Sequence, residues 1–140
     1  SGIDGIISTS LGISSINKKF KNFLVIGDIS FFHDINGFNV LQSTKIDLTI
    51  IVINNNGGKI FTSLDYADKK IDRFNEFWVT PQSIEIKNIA KVFNIKYFKL
   101  NAKSLNDRLS KISSFKGVKV IEIKTSHLSD FKVDKKLSLI

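Results

Sequence analysis

Cysteine and methionine are both absent from the 140 residues, and proline occurs once, at Pro81. Without cysteine there can be no disulfide and no thiolate metal site, so any metal must be held by oxygen or imidazole, and a reducing compartment is permitted. No apolar run approaches the roughly 20 residues needed to cross a bilayer, and membrane insertion is not expected. The missing methionine, with Ser1-Gly2 at the start, leads us to expect a piece of a longer polypeptide, truncated at its N-terminus. What remains is ordinary for a globular domain: 42% hydrophobic and 24% charged residues, enough to fill one core and too apolar for disorder. The net charge is +8, yet the lysines run from Lys18 to Lys136 without gathering into one patch. They read as a solvated surface, and no nucleic-acid partner is expected.

Strand and helix signals alternate along the chain. Ile3, Ile6, Ile7 and Leu11 recur at near-helical spacing within 1–16, with Ser1 or Asp4 as candidate caps. Phe23–Ile26 is a short apolar strand. Asp34–Thr44 reads as a helix capped by Asp34, although Gly37 weakens it by about 1 kcal/mol relative to alanine. Leu48–Ile53 is continuous and β-branched, as a strand buried on both faces should be. A short helix is expected over Lys59–Leu64, and a long loop over Asp65–Gln82 that contains Phe77-Trp78. A helix over Ile84–Phe93, a strand over Lys96–Leu100 and a helix over Ser104–Ser113 follow. Val118–Thr125 is the last strand, its Val and Ile set against lysines and Glu122, and the tail from Ser126 is polar, then weakly helical. The pattern specifies a three-layer α/β/α domain with a mainly parallel sheet.

Two strand ends carry the chemistry. Gly27-Asp28-Ile29-Ser30 follows the first strand and Asn54-Asn55-Asn56-Gly57-Gly58 follows the second, at the edge where open α/β sheets bind ligands. Asp28 and Asn55 lie 27 positions apart, the length of one helix and one strand, so both should reach the same edge one strand apart. One carboxylate, side-chain amides and glycine backbone suit Mg2+ holding a diphosphate, which takes oxygen ligands at about 2.0–2.1 Å. Asp28 and Asn55 would bind through side chains, and a carbonyl just past Asn55 could give a third oxygen. Gly57-Gly58 permits positive φ and close approach to phosphate, with N–H groups of the next helix aimed at the anion. His33 is read as a loop histidine beside a capping aspartate, His127 as solvated, and Phe77-Trp78 as packing.

Gly27-Asp28 followed by Asn54-Asn55 resembles the signature of thiamine-diphosphate enzymes. Ser1-Gly2-Ile3-Asp4-Gly5, the run Gly27–Gly37 (with His33-Asp34-Ile35-Asn36-Gly37), Asn54–Phe61 and Phe74–Gln82 are together similar to the MenD family, 2-succinyl-5-enolpyruvyl-6-hydroxy-3-cyclohexene-1-carboxylate synthase. The resemblance spans almost the whole chain. Ile29 departs from the wider superfamily, where many members carry a second glycine. The resemblance implies a Rossmann-like thiamine-diphosphate-binding fold, with residues 1–140 as the C-terminal cofactor domain of a longer enzyme. It implies thiamine diphosphate with Mg2+ (or Mn2+) as cofactors, and Asp28, Asn55 and the Gly57 carbonyl as metal ligands. Gly27, Ile29, Ser30 and Gly58 would meet the cofactor, Ile3 would prop it in a bent shape, and Ile60, Phe61 and Leu64 would wall the substrate pocket.

The implied reaction decarboxylates 2-oxoglutarate and adds a succinyl carbanion equivalent to isochorismate, in menaquinone or phylloquinone biosynthesis. An acetolactate-synthase-like enzyme or 2-oxoacid decarboxylase is the alternative within the superfamily, against which His33–Gly37 argues. A non-enzymatic phosphate- or nucleic-acid-binding module is the alternative from another class. The family's activating glutamate comes from the pyrimidine-binding domain of a partner subunit. Glu76, Glu85 and Glu122 match no such motif, and Arg73 and Arg108 do not fall where the family's substrate arginines lie. The segment alone is therefore expected to be inactive, the whole enzyme a homodimer or homotetramer, and its location the cytoplasm or a plastid stroma.

Overall fold

Four parallel strands in the order β1-β2-β4-β3 form the sheet, in a computed structural model that describes residues 2–64 and 71–125. They are β1 (Phe23–Gly27), β2 (Leu48–Asn54), β3 (Lys96–Leu100) and β4 (Val118–Lys124), and β2 pairs with β1 and β4 while β3 closes the other edge of β4. The helices are α1 (Ile6–Ile16), α2 (Asp28–His33), α3 (Ile86–Val92) and α4 (Ala102–Ser113). Between β1 and β2 the chain moves one way across the sheet, and from β3 to β4 it moves back. Right-handed crossovers therefore put α4 on the opposite face from α2. This gives the three layers expected from the alternation.

The larger core lies on the face covered by α1, α2 and α3, where Ile7, Leu11, Phe31, Phe38, Ile86 and Ala90 pack on Ile50, Val52 and Val120. Phe38 anchors it, with ring centroids 5.8 Å from Phe31 and 5.4 Å from Phe93. The smaller core joins Ile112 of α4 to Ile51, Ile121, Ile123 and Leu100. Alternate residues of β2 thus feed both cores, which is why Leu48–Ile53 is apolar at every position but Thr49.

Several expectations change in detail. Leu48–Ile53 extends to Asn54, Lys96–Leu100 matches β3, and α4 starts earlier than Ser104 because Asn101 accepts the Ser104 N–H at 2.8 Å in a capping box. The segment Asp34–Thr44 is a 3-10 helix, Ile35–Gln42, and Asp34 does not cap it. Its carboxylate instead accepts the Ser8 N–H at 2.6 Å and the Ser8 hydroxyl at 2.7 Å, serving the first turn of α1 from 26 residues away. Asp4 does not cap α1 either; it accepts the neighbouring Gly5 N–H at 2.8 Å. Gly37 belongs to the same contact, since a Cβ there would lie 2.5 Å from the Ser8 hydroxyl. Lys59–Ser63 forms a 3-10 turn, and Asn75–Val79, expected to be loop, forms one turn of π-helix. Residues 65–70 of that loop and the tail from Ser126 lie outside the described residues. Lys119 and Glu122, the polar residues set against Val and Ile in the last strand, are both buried, and β4 is central. No described helix is long and apolar enough to cross a membrane.

Candidate functional site

β1 ends at Gly27, which pairs with Ile53 of β2, so the residues that follow each strand emerge side by side at the C-terminal edge of the sheet. Asp28 opens α2 directly after β1 and is 3% exposed. Its Oδ2 accepts the Gly57 N–H at 2.7 Å, a buried bond across 29 positions of sequence. Burial pushes the Asp28 carboxyl above the usual carboxylate range, and the N–H groups of Gly57, Ile29, Asp28 itself and Asn56 pull the other way. Among the described residues no cationic side chain pairs with this buried carboxylate, which suits a cationic ligand.

The turn after β2 is held on three sides. Asn54 accepts the Asn56 N–H through Oδ1 at 3.0 Å and donates from Nδ2 to Glu122 Oε1 at 2.7 Å. Asn56 has φ 63° and Gly57 φ 122°, so the chain turns through two consecutive left-handed positions, the second open only to glycine. The Asn75–Val79 turn lies over the glycines, where the Gly58 N–H donates to the Val79 carbonyl at 2.6 Å. Gly58 itself has φ −75°, and a Cβ there would press on Phe61 and the Trp78 carbonyl. Both glycine N–H groups are therefore engaged within the protein, to Asp28 and to Val79. What the pair offers is a carbonyl: Gly57 O accepts one N–H, from Lys59 at 2.8 Å, and keeps a second lone pair.

The other expected residues surround this junction unevenly. Asn55 is half-buried within the turn, and Ile29 and Ser30 are half-buried at the start of α2. A cleft of about 480 Å³ beside α2 is lined by Ile29, Phe32, His33, Thr80 and Gln82. Phe61 packs edge-on against Trp78, with centroids 5.8 Å apart, while Ile60 is 74% exposed and Leu64 is also exposed. Ile3 is exposed ahead of α1 and belongs to neither loop. A roomier cavity of about 990 Å³ lies at the opposite, N-terminal edge of the sheet, far from Asp28. Among the described residues, no three His, Cys, Asp or Glu side chains come together as a metal cluster. A metal at Asp28 must therefore draw on amide and carbonyl oxygen, which Asn55 and Gly57 carry, and a hard divalent cation accepts that set. The residues fit such an ion.

Sequence reasoning missed Glu122 and the Asn75–Val79 turn. The only signal for Glu122 is the density of β-branched residues around it, which marks β4 as central.

The family described as "Thiamine pyrophosphate enzyme, C-terminal TPP binding domain" matches residues 6–123. The chain is 40% identical over 126 residues to the 2-succinyl-5-enolpyruvyl-6-hydroxy-3-cyclohexene-1-carboxylate synthase of Leuconostoc mesenteroides subsp. mesenteroides, covering 90% of this chain and 23% of that protein. It is 46% identical over 97 residues to the synthase of the same name from Chlorobaculum parvum, covering 69% and 16%. To that of Bacillus cytotoxicus it is 33% identical over 137 residues, covering 97% and 23%. The chain thus spans less than a quarter of the length of these curated relatives. With the match running through both strand-end loops, the chain belongs to the family of C-terminal thiamine-pyrophosphate-binding domains of thiamine pyrophosphate enzymes.

Proposed function

We propose that the chain is the cofactor-binding domain of a longer, thiamine-diphosphate-dependent carboligase that decarboxylates 2-oxoglutarate and adds the succinyl unit to isochorismate in menaquinone or phylloquinone synthesis. The observation that carries it is the buried Asp28 carboxylate bonded to the Gly57 N–H, joined to relatives that bear the synthase's name. The coverage of those relatives supports a larger whole protein. In this reading Asp28, the Asn55 amide oxygen and the Gly57 carbonyl hold Mg2+ or Mn2+, which binds the diphosphate. Gly27, Ile29, Ser30 and Gly58 border the cofactor, and Ile3 props it. Ile60, Phe61 and Leu64, two of them exposed here, form the apolar wall that keeps water from the substrates. When bound, thiamine diphosphate supplies the electron sink; the protein supplies position and charge. A pyrimidine-binding domain of a partner subunit completes the site, in a cytoplasmic homodimer or homotetramer, and the isolated segment does not turn over.

The test is titration of the whole protein with thiamine diphosphate, with and without Mg2+, followed by calorimetry. Asp28→Ala and Asn55→Ala should each abolish the Mg2+-dependent part of binding while leaving the circular dichroism spectrum unchanged. Wild-type affinity in both variants would remove the assignment.

A further inference from the structure

Glu122 is 4% exposed, and its carboxylate meets only neutral donors among the described residues. Oε1 accepts from Asn54 Nδ2 at 2.7 Å, and Oε2 accepts from the Tyr97 hydroxyl. A buried charge without a cationic partner is an expensive way to fill a core. Its distinguishing property is that a carboxylate only accepts hydrogen bonds.

That property fixes Asn54. One end of the Asn54 amide faces Glu122, which can only accept, and the other faces the Asn56 N–H, which can only donate. A single orientation satisfies both: NH2 toward Glu122 and oxygen toward Asn56. The flipped amide would set acceptor against acceptor and donor against donor. Asn56 is thereby held at φ 63°, and the next N–H, that of Gly57, reaches the Asp28 carboxylate. Tyr97 closes the far end. Burial and the bond to Glu122 raise its hydroxyl above the usual phenol range, so it stays a donor at neutral pH. Tyr97, Glu122 and Asn54 stand on three adjacent strands, β3, β4 and β2, and the rigid sheet sets their spacing.

We propose that Glu122 is a positioning residue for the cofactor turn, acting through Asn54 and held by Tyr97. This rests on reading Asp28 and the Asn54–Gly58 turn as the metal–diphosphate site.

The decisive experiment exchanges the two polar groups. Asn54→Asp keeps the oxygen for Asn56 but sets two carboxylates against each other. It should weaken Mg2+-dependent thiamine diphosphate binding about tenfold or more, the usual cost of losing a partner behind a metal ligand. Glu122→Gln alone should change affinity by no more than about threefold, because the new carboxamide can still accept from Asn54. Combined, Asn54→Asp and Glu122→Gln reverse donor and acceptor, and affinity should return to within about threefold of wild type. Amide hydrogen exchange in the metal-free protein gives a readout independent of the cofactor. Asn56 and Gly57 should exchange faster in Asn54→Asp, without a change in the most protected strand amides, and slow again in the double variant. Should Asn54→Asp not fold, Tyr97→Phe, which keeps the ring, should still speed exchange at Asn56. Unchanged exchange at Asn56 in Asn54→Asp, or in Tyr97→Phe if that must serve, overturns the proposal, as does a double variant no better than Asn54→Asp. Mg2+-dependent binding that survives Asp28→Ala would instead sink the cofactor reading, whatever the exchange data say.

Discussion

Replacing Gly57 by alanine tests the junction most directly, because one methyl group strikes it from two sides. At φ 122° an alanine sits where only glycine is at ease, costing about 1–3 kcal/mol. The new Cβ would also lie 2.4 Å from the Val79 carbonyl oxygen and 3.1 Å from Val79 Cγ1. Val79 is 1% exposed and cannot withdraw, so the Asn75–Val79 turn must shift. Its carbonyl holds the Gly58 N–H at 2.6 Å, and losing that bond costs about 1 kcal/mol more. The total is about 3 kcal/mol, which in a domain of this size lowers the melting temperature by about 10 °C. Because the Gly57 N–H also serves Asp28, Mg2+-dependent thiamine diphosphate binding should be lost with it. Urea and thermal unfolding give the stability, and calorimetry gives the binding. Gly12→Ala is the matched control: an exposed helical glycine with nothing within 4 Å of the new Cβ, expected to gain about 0.5–1 kcal/mol. A Gly57→Ala protein as stable as wild type would refute the account of the turn.

Asp28 ties stability to pH with a definite sign. Its folded pKa is raised above the unfolded value of 3.8, so the metal-free fold holds the extra proton and gains stability below the unfolded pKa. That gain is lost as pH rises through the folded pKa. Urea midpoints measured from about pH 4 to 7 should therefore favour wild type over Asp28→Asn least at the upper end, and a difference independent of pH would contradict this. Cation binding needs the ionised form, so Mg2+ affinity should fall as pH drops through the same raised value. Asp34→Ala removes two bonds to a charged acceptor and leaves the Ser8 N–H unpaired, a loss of about 2–3 kcal/mol in urea unfolding. A loss below about 0.5 kcal/mol would show that α1 does not depend on this contact.

What the sequence discloses and what it withholds follow from the range of the interaction involved. β2 was legible because the run Leu48–Ile53 declares two-sided burial by its own composition. The placement of Asp28 beside the Asn54–Gly58 turn was legible for a similar reason. Parallel strands with crossovers of ordinary length bring consecutive strand ends to one edge, and β1 and β2 are neighbours. Asp34 was misread as a local cap because its true partner is Ser8, 26 positions earlier, and Gly37 looked like a weak helix residue because its close neighbour is also Ser8. Glu122 is set against valine and isoleucine in the last strand with nothing in the sequence to name its partners; the β3 crossover, which inserts β4 between β2 and β3, puts it in the middle of the sheet.

The bond from Asn54 to Glu122 spans 68 positions, and no periodicity in one chain announces a pairing at that distance. This divides the site into two kinds of residue. Those that would touch the ligand occupy strand ends and betray themselves by residue type: an aspartate, asparagines and paired glycines where a strand should stop. Those that hold them in place sit within strands, and they show only as polar residues that the surrounding apolar run does not explain. Lys119, buried on β4 with its ammonium donating to the Phe115 carbonyl at 2.6 Å, is a second residue of that kind. In a parallel sheet, then, a charged residue inside a dense β-branched run is better read as a buried hydrogen-bonding anchor than as an exposed face, because helices cover both faces of the sheet.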